Sequence, residues 1–401
     1  MFHFNFKMSQ LFSSLAILRI LVATATHDAP PPLLSIAFDD ASASFNISIA
    51  GNHWLSSAPL QAFIGGATQR FVQQRASRST GVDALGAFSC ANVSWRSGDG
   101  HVLHTSLQTY PTRPDIAIFT QQIPHGATQT NASNPILPSG IRVMDPGNYA
   151  PVVAFPSLAG GKLAELGYVT WQSRMVNVEW GTNVTGKSNG TNEPLLTGQG
   201  LQGLSTSGPV VLFDTSFSAL VVAPMDNFKS AVHHSRANAP LPTWDTGVSS
   251  ELTSLPQNFR HRTMLVAAKG ITAALDTWGG ALRTVYGTNR TVIGKQDKNV
   301  EYLSYWTDNG AYLSGGAWPR PEGGNGGGTV VNEAAFKAVV KGLREQDLHI
   351  KSFQLDDWWY NTSNPQGGVY SACVANWTLQ NATFPSGLAK LSRALGTKWI
   401  L

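Results

Sequence analysis

Lys351-Ser-Phe-Gln-Leu-Asp-Asp-Trp-Trp-Tyr360 decides how the rest of this chain is read. A short apolar run leads into two adjacent carboxylates, Asp356 and Asp357, and then into three aromatic residues, Trp358, Trp359 and Tyr360. About fifty residues upstream, Tyr302-Leu-Ser-Tyr-Trp-Thr-Asp-Asn-Gly310 repeats the grammar: a strand, then Trp306 and Asp308. Aromatic plates beside carboxylates suit a sugar. The C–H face of a pyranose stacks on a ring while its hydroxyls donate to carboxylate oxygens. Strands separated by helices, with such residues at their ends, are how a (β/α)8 barrel assembles a site at its C-terminal rim.

Working outward, residues 332–346 lie between these two strands and predict an amphipathic helix, with Phe336, Val339, Val340 and Leu343 on one face and Asn332 at the cap. Ser352–Leu355 reads as the second strand, Phe384–Gly396 as a second helix with a glycine stop, and Lys398–Leu401 as the start of a third strand. Gly323–Gly328 is glycine-rich but lacks the Lys and Ser/Thr of a phosphate cradle, so it predicts a flexible connection. About 100 residues follow Tyr302, where a whole barrel takes about 250 and eight strands. The expectation is therefore an incomplete barrel over residues 301–401.

Upstream the rhythm changes. Residues 27–268 carry short apolar runs: Leu34–Phe38, Phe45–Ile49, Ile116–Thr120, Val210–Phe213 and Ala219–Ala223. Clusters of Gly, Pro, Asn and Ser separate them, which predicts a large antiparallel β-sandwich. Residues 269–300 form a linker helix and connection: Ile271, Ala274, Leu275, Trp278, Leu282 and Val285 fall at helical spacing, and Gly287 stops them. The fold class is multidomain, β followed by α/β: a sandwich, then a partial (β/α)8 TIM barrel.

Composition narrows the function classes. The 401 residues are 42% hydrophobic and only 13% charged, with 12 Trp and 39 Gly. That balance fits a secreted, β-rich, glycan-handling protein. The formal net charge of +4 is small, and the basic residues are scattered, which argues against nucleic acid as a partner. Residues 1–25 read as a signal peptide, with His3 and Lys7 leading an apolar stretch, Leu11–Val22, and Ala23-Thr-Ala25 as the cleavage pattern. Arg19 interrupts the apolar stretch, and an uncleaved anchor is the competing reading. No later run is long enough to span a membrane. Nine sequons, at Asn46, Asn92, Asn131, Asn183, Asn189, Asn289, Asn361, Asn376 and Asn381, agree with a eukaryotic secretory route and predict that these side chains are exposed. Cys90 and Cys373 could form one disulfide in that compartment; the alternative is two free thiols. His233-His234 has no third ligand at metal spacing, so a surface pair on the β domain is expected and no metal is implied. Neither a Gly-x-Ser-x-Gly elbow nor an HExxH helix occurs, and no cofactor is implied.

Tyr305-Trp-Thr-Asp-Asn-Gly-Ala-Tyr-Leu313, Gln354-Leu-Asp-Asp-Trp-Trp-Tyr360 and Phe384-Pro-Ser-Gly-Leu-Ala-Lys-Leu-Ser-Arg-Ala-Leu-Gly396, in that order, resemble the opening βαβα of the glycoside hydrolase clan that includes α-galactosidases and raffinose synthases. The resemblance covers residues 270–401 by motif order and the β domain by class alone. It implies that Asp356 and Asp357 bind substrate hydroxyls and that Trp306, with Asp308 beside it, packs in the sugar site; Trp358 and Trp359 are further candidates for the sugar platform. It also implies a nucleophile on the fourth barrel strand and an acid/base on the sixth, which this sequence does not reach. The chemistry agrees, since retaining hydrolysis needs two carboxyl groups about 5–5.5 Å apart. Neighbours on a continuing strand point to opposite faces. Asp356 and Asp357 thus suit hydroxyl binding better than bond cleavage. The expected partner is an α-linked oligosaccharide or glycoside. A non-catalytic carbohydrate-binding protein and a gene-model fragment remain alternatives, and sugar, linkage and oligomeric state stay open.

Overall fold

The structure is a computed structural model that describes residues 33–131, 150–163, 165–171, 178–181, 208–236, 243–289, 297–306, 333–355, 360–362, 374–379, 381 and 384–400. The proposed signal peptide, the glycine loop 323–328, Asn183, Asn189 and Cys373 lie outside the described residues. The chain divides into two compact units, Met1–Tyr286 and Gly287–Leu401.

The first unit holds β1 (Leu34–Phe38), β2 (Phe45–Ile49), β3 (Asn52–Ser57), β4 (Gln61–Ile64), β5 (Ala67–Asp83), β6 (Gly86–Ser97), β7 (Val102–Tyr110), β8 (Arg113–Ile123) and β9 (Ala127–Thr128). After these come β10 (Ser157–Ala159), β11 (Gly167–Trp171), β12 (Val178–Gly181), β13 (Val210–Phe213), β14 (Ser218–Pro224), β15 (Ala231–Arg236), β16 (Thr243–Val248), β17 (Ser254–Leu255) and β18 (Phe259–Lys269). A six-stranded sheet runs β1-β2-β3-β10-β16-β15, and a ten-stranded sheet runs β12-β11-β13-β14-β18-β8-β7-β6-β5-β4. The two share one core: Phe45, Ile47 and Leu158 of the first meet Phe119, Leu220 and Leu265 of the second. The strands of these sheets pair antiparallel, as in β13 with β14, where Val210 faces Val222. This is the sandwich that the alternating runs predict.

Helix α1 (Ile271–Tyr286) lies on the outer face of the larger sheet. All six apolar positions at helical spacing join that contact: Ala274 is buried, and Ile271, Leu275, Trp278, Leu282 and Val285 pack against the cluster. The helix explains why two strands read as unbroken apolar runs. Along β14, Leu220 and Val222 face the inter-sheet core while Ala219, Val221 and Ala223 face the helix, so all seven residues are buried. Beyond the helix, β8 presents Thr120 and Gln122 instead, and a polar concavity of about 390 Å³ opens over β5–β8, floored by Ser77, Asn92, Ser94 and Ser106.

Two sequence expectations fail here. His233 is not at the surface: it is buried and stacks on Trp244 at 5.7 Å. Its alternation along β15 turns it inward. Asn92 is half-buried rather than exposed, because it sits in mid-strand on β6 and its amide donates to Ser79 Oγ at 2.9 Å. Asn46, Asn131, Asn289, Asn376 and Asn381 are exposed, and the side chain of Asn361 lies outside the description. Cys90 is a buried free thiol whose pKa is raised by burial.

The second unit contains α2 (Lys298–Glu301), β19 (Leu303–Trp306), α3 (Glu333–Glu345), β20 (Ile350–Gln354), β21 (Tyr360–Thr362), β22 (Val374–Leu379), α4 (Leu388–Leu395) and β23 (Lys398–Ile400). Helix α4 starts four residues later than the sequence predicts, because Phe384–Gly387 forms a turn closed by Gly387 N–H to Phe384 O and Gly387 holds φ +77°. Among the described residues of the chain, no helix is long and apolar enough to cross a membrane.

Candidate functional site

The sugar-site residues foreseen from the sequence fall on the second unit, and its strands decide where they can go. β19 pairs in parallel with β20, and β20 with β23. Their last residues stand in register: Trp306 is the Cα partner of Gln354, and Gln354 of Ile400. Parallel neighbours need a crossover, and α3 and α4 supply the two. Apolar spacing makes these helices fit. Phe336 and Val340 of α3, Leu391 and Leu395 of α4, Phe353 of β20 and Leu355 just after it belong to one buried cluster. Phe336 meets Phe353 edge-on at 5.1 Å, and Tyr305 lies 5.6 Å from Phe353 on its other neighbour. Ser304 and Ser352 share a hydrogen bond of 2.6 Å between the two strands.

In an open parallel arrangement, ligands collect beyond the carboxyl ends of the strands, where the following helices begin. Glu333 opens α3 and is buried; its Oε1 accepts from the backbone N–H of Ser386 at 2.6 Å, tying the start of α3 to the turn that precedes α4. At the C-terminal end of β19, Trp306 is 44% exposed, as a ligand platform must be. Asp308 follows it by two residues, and Asp356 follows Gln354 by two. Asp308, Asp356, Asp357, Trp358 and Trp359 lie outside the described residues. The structure thus fixes the two strand ends side by side, and the candidate carboxylates are the next residues but one along each.

One feature of this end went unread in the sequence. Past Trp359 the chain forms an antiparallel ribbon, β21 with β22, with Tyr360 opposite Leu379 and Asn361 opposite Asn376. Leu379 packs on the unit's core, and Tyr360 meets Trp377 edge-on at 5.0 Å and 68°. Its signal was the aromatic pair itself, hidden among sequons and lacking an apolar run.

Among the described residues, two titratable groups with displaced equilibria are Asp226 and His233 of the first unit. Asp226 is half-buried, which alone would raise its pKa. Contact with His261 at 3.3 Å and hydrogen bonds from the side chain and backbone of Arg262 outweigh that and hold it at about 2. His233 is pushed down to about 3 by burial, with the charge of His261 adding to the effect. Through these contacts Asp226 ties the turn after β14 to β18. Among the described residues no cluster of His, Cys, Asp and Glu could hold a metal ion.

No protein-family model matches the chain, and no curated protein does. Solved structures do. A quadruple mutant of the alpha-N-acetylgalactosaminidase NagBb from Bifidobacterium bifidum aligns with a TM-score of 0.50 and 10% identity, over 92% of this chain and 57% of that one. The same enzyme in complex with GalNAc gives 0.49 and 11% over 92% and 57%. A beta-arabinopyranosidase gives 0.47 and 9% over 92% and 53%. The chain spans little more than half the length of these structures. At such identities the likeness is one of architecture alone: the fold of this chain is similar to that of the NagBb mutant.

Proposed function

We propose that this chain is part of a secreted glycoside hydrolase that takes α-linked hexosides, and that its second unit is the opening of a (β/α)8 barrel. The parallel register supports the proposal: Trp306 and Gln354 end neighbouring strands, and Asp308 and Asp356 each follow two residues later in the sequence. Two crossover helices between three parallel strands are the repeating unit of such a barrel. In the proposed site, Trp306 offers its ring to the sugar C–H face, and Asp356 and Asp357 accept hydrogen bonds from its hydroxyls. The pair grips the sugar, and the carboxylates that break the glycosidic bond by double displacement are others. The exposed sequons at Asn46, Asn131, Asn289, Asn376 and Asn381 support export as a glycoprotein.

The test is saccharide binding by the protein secreted from eukaryotic cells, with methyl α-D-galactopyranoside as the probe. A hydrogen bond to a charged group contributes about 1.5–3 kcal/mol, so Asp356→Asn and Asp357→Asn should each weaken binding roughly 10- to 100-fold while thermal stability holds. Unchanged affinity in both variants refutes the assignment. Release of galactose by the chain alone, abolished by Asp356→Asn, would instead make the pair part of the cleaving machinery.

A further inference from the structure

We infer that the polar concavity over β5–β8 is a binding site for an acidic oligosaccharide, whose hydroxyls meet the floor of the sheet and whose oxyanions meet Arg75 and Arg260. The site lies in the first unit and goes beyond the proposed function, since it uses none of the residues at the strand ends of the second.

Strand register builds the site. Arg75 of β5 is the Cα partner of Ser94 on β6, Ser94 of His104 on β7, and His104 of Gln122 on β8. The bulge in β5 precedes Arg75, and from there to Asp83 the register with β6 is unbroken. A second row, from Ser77 through Asn92 and Ser106 to Thr120, runs beside the first. Direct partners share a face of the sheet, and both rows line one concavity of about 390 Å³. Residues of the other parity turn inward: Val93, Trp95 and Leu103 join one buried cluster, and Leu107 and Phe119 another. On β18 the rows continue to Arg260, partner of Gln122, and to Arg262, partner of Thr120.

An outer sheet face that meets water is ordinary. This one is unbalanced in charge. Arg262 is paired with Asp226 at 2.8 Å, and Arg78, on the opposite face of β5, with Asp40 at 2.9 Å. Arg75 and Arg260 are exposed, and neither meets a carboxylate among the described residues. The lining of the concavity includes His104 and holds no Asp or Glu. A guanidinium offers a planar fork of donors to an oxyanion. The hydroxyl and amide side chains between the arginines both donate and accept, as sugar hydroxyls require. Neither row contains a Trp, Tyr or Phe on which a neutral pyranose could stack, so charge has to supply the attraction. Arg75 and Arg260 stand about 19 Å apart along the sheet, at about 4.8 Å per strand, a span that a chain of sugars bridges and a single anion does not.

Asn92 stands in this floor, half-buried, with its amide donating to Ser79 Oγ at 2.9 Å. The site therefore requires that the sequon at Asn92 carries no glycan.

The experiment uses the secreted glycoprotein and three probes: tetragalacturonate, a sulfated galactotetraose and neutral galactotetraose. Calorimetry follows affinity, and mass spectrometry of the peptide containing Asn92 reads its modification. At least one acidic probe should bind, the tighter of the two naming carboxylate or sulfate as the source of the oxyanion, and galactotetraose should bind at least tenfold more weakly. Arg75→Gln and Arg260→Gln should each weaken the acidic probe roughly three- to tenfold, and Thr120→Val roughly threefold. Lys337→Gln, the same change of charge on α3, should leave it unchanged. The inference is overturned if neither acidic probe binds, if galactotetraose binds equally well, or if Lys337→Gln costs as much as Arg75→Gln. Full affinity in Thr120→Val would reduce the site to a bare anion contact, and a glycan on Asn92 would fill it; either result also refutes it.

Discussion

His233 enters the layer between the two sheets as a neutral ring. It stacks on Trp244, which is itself buried, and burial takes its pKa to about 3. In the unfolded chain the same imidazole titrates near 6.5. Above that value neither state binds the proton, and the stabilisation is whole. Below it the unfolded chain takes up a proton that the folded one refuses, so stability falls as pH drops from 6.5 toward 3, by about 1.4 kcal/mol per pH unit at the limit. Asp226 acts in a lower window. Its folded pKa of about 2 lies under the ordinary 3.8, so its contribution is lost only as pH falls from about 4 through 2. The charge of His261 adds to the lowering, a hydrogen bond with the Gly208 backbone opposes it, and His261 itself contacts Asp226, which also pairs with Arg262. Denaturant unfolding at pH 7.5 and 5.5 separates the two carriers. The wild type should lose about 1 kcal/mol over that interval, and His233→Phe, which keeps a ring against Trp244 without a titrating nitrogen, should lose less than half as much. Equal slopes would remove His233 as the source.

At the scale of elements, the turn after β10 is built to one residue. Gly161 has φ +55°, and a Cβ there would lie 2.2 Å from the carbonyl oxygen of Trp54 on β3, the same oxygen that accepts from Lys162 N–H at 2.8 Å. The two closest atoms belong to the Trp54 backbone, which cannot swing away as a side chain can. Gly161→Ala should cost about 2–3 kcal/mol, read as a lower unfolding midpoint; a loss under about 0.5 kcal/mol would show that the turn can shift. No sequence rule singles out this glycine among 39. Other elements announce themselves. Helix α1 is legible because its apolar positions repeat at 3.6 residues and all reach the sheet. The runs in β8 and β14 are legible because helix and core bury both of their faces. The 17-residue β5 is not, since Gln, Arg, Ser and Thr fill it and most of its length is exposed. The ribbon from Tyr360 to Leu379 escaped for a related reason: its turn signals and sequons resemble a loop. The strand ends that carry Trp306 and Gln354 were legible from apolar runs stopped by acids, whereas their parallel register is a non-local fact that no spacing encodes.

For the whole molecule, the apolar cores fall into separate sets. Three clusters draw only on residues up to Val285, and the fourth only on residues from Tyr305 onward. Among the described residues, the second unit rests on one small cluster that includes Phe353: fully buried, edge-on to Phe336, and beside Tyr305. Small cores have little to spare, because the fraction of surface buried falls with size. Truncating a buried phenylalanine typically costs 3–5 kcal/mol, which is a large share of the stability of a unit this size. Phe353→Ala should therefore remove hydrogen-exchange protection from β19, β20 and α3 while the amides of β8, β14 and β18 keep theirs. It should also abolish saccharide binding at the strand ends although no proposed contact residue has changed. Loss of protection in β14 to the same degree would mean that the sandwich depends on the second core. Full retention in β20 would mean that the α/β unit draws its stability from somewhere other than the Phe336–Phe353 cluster.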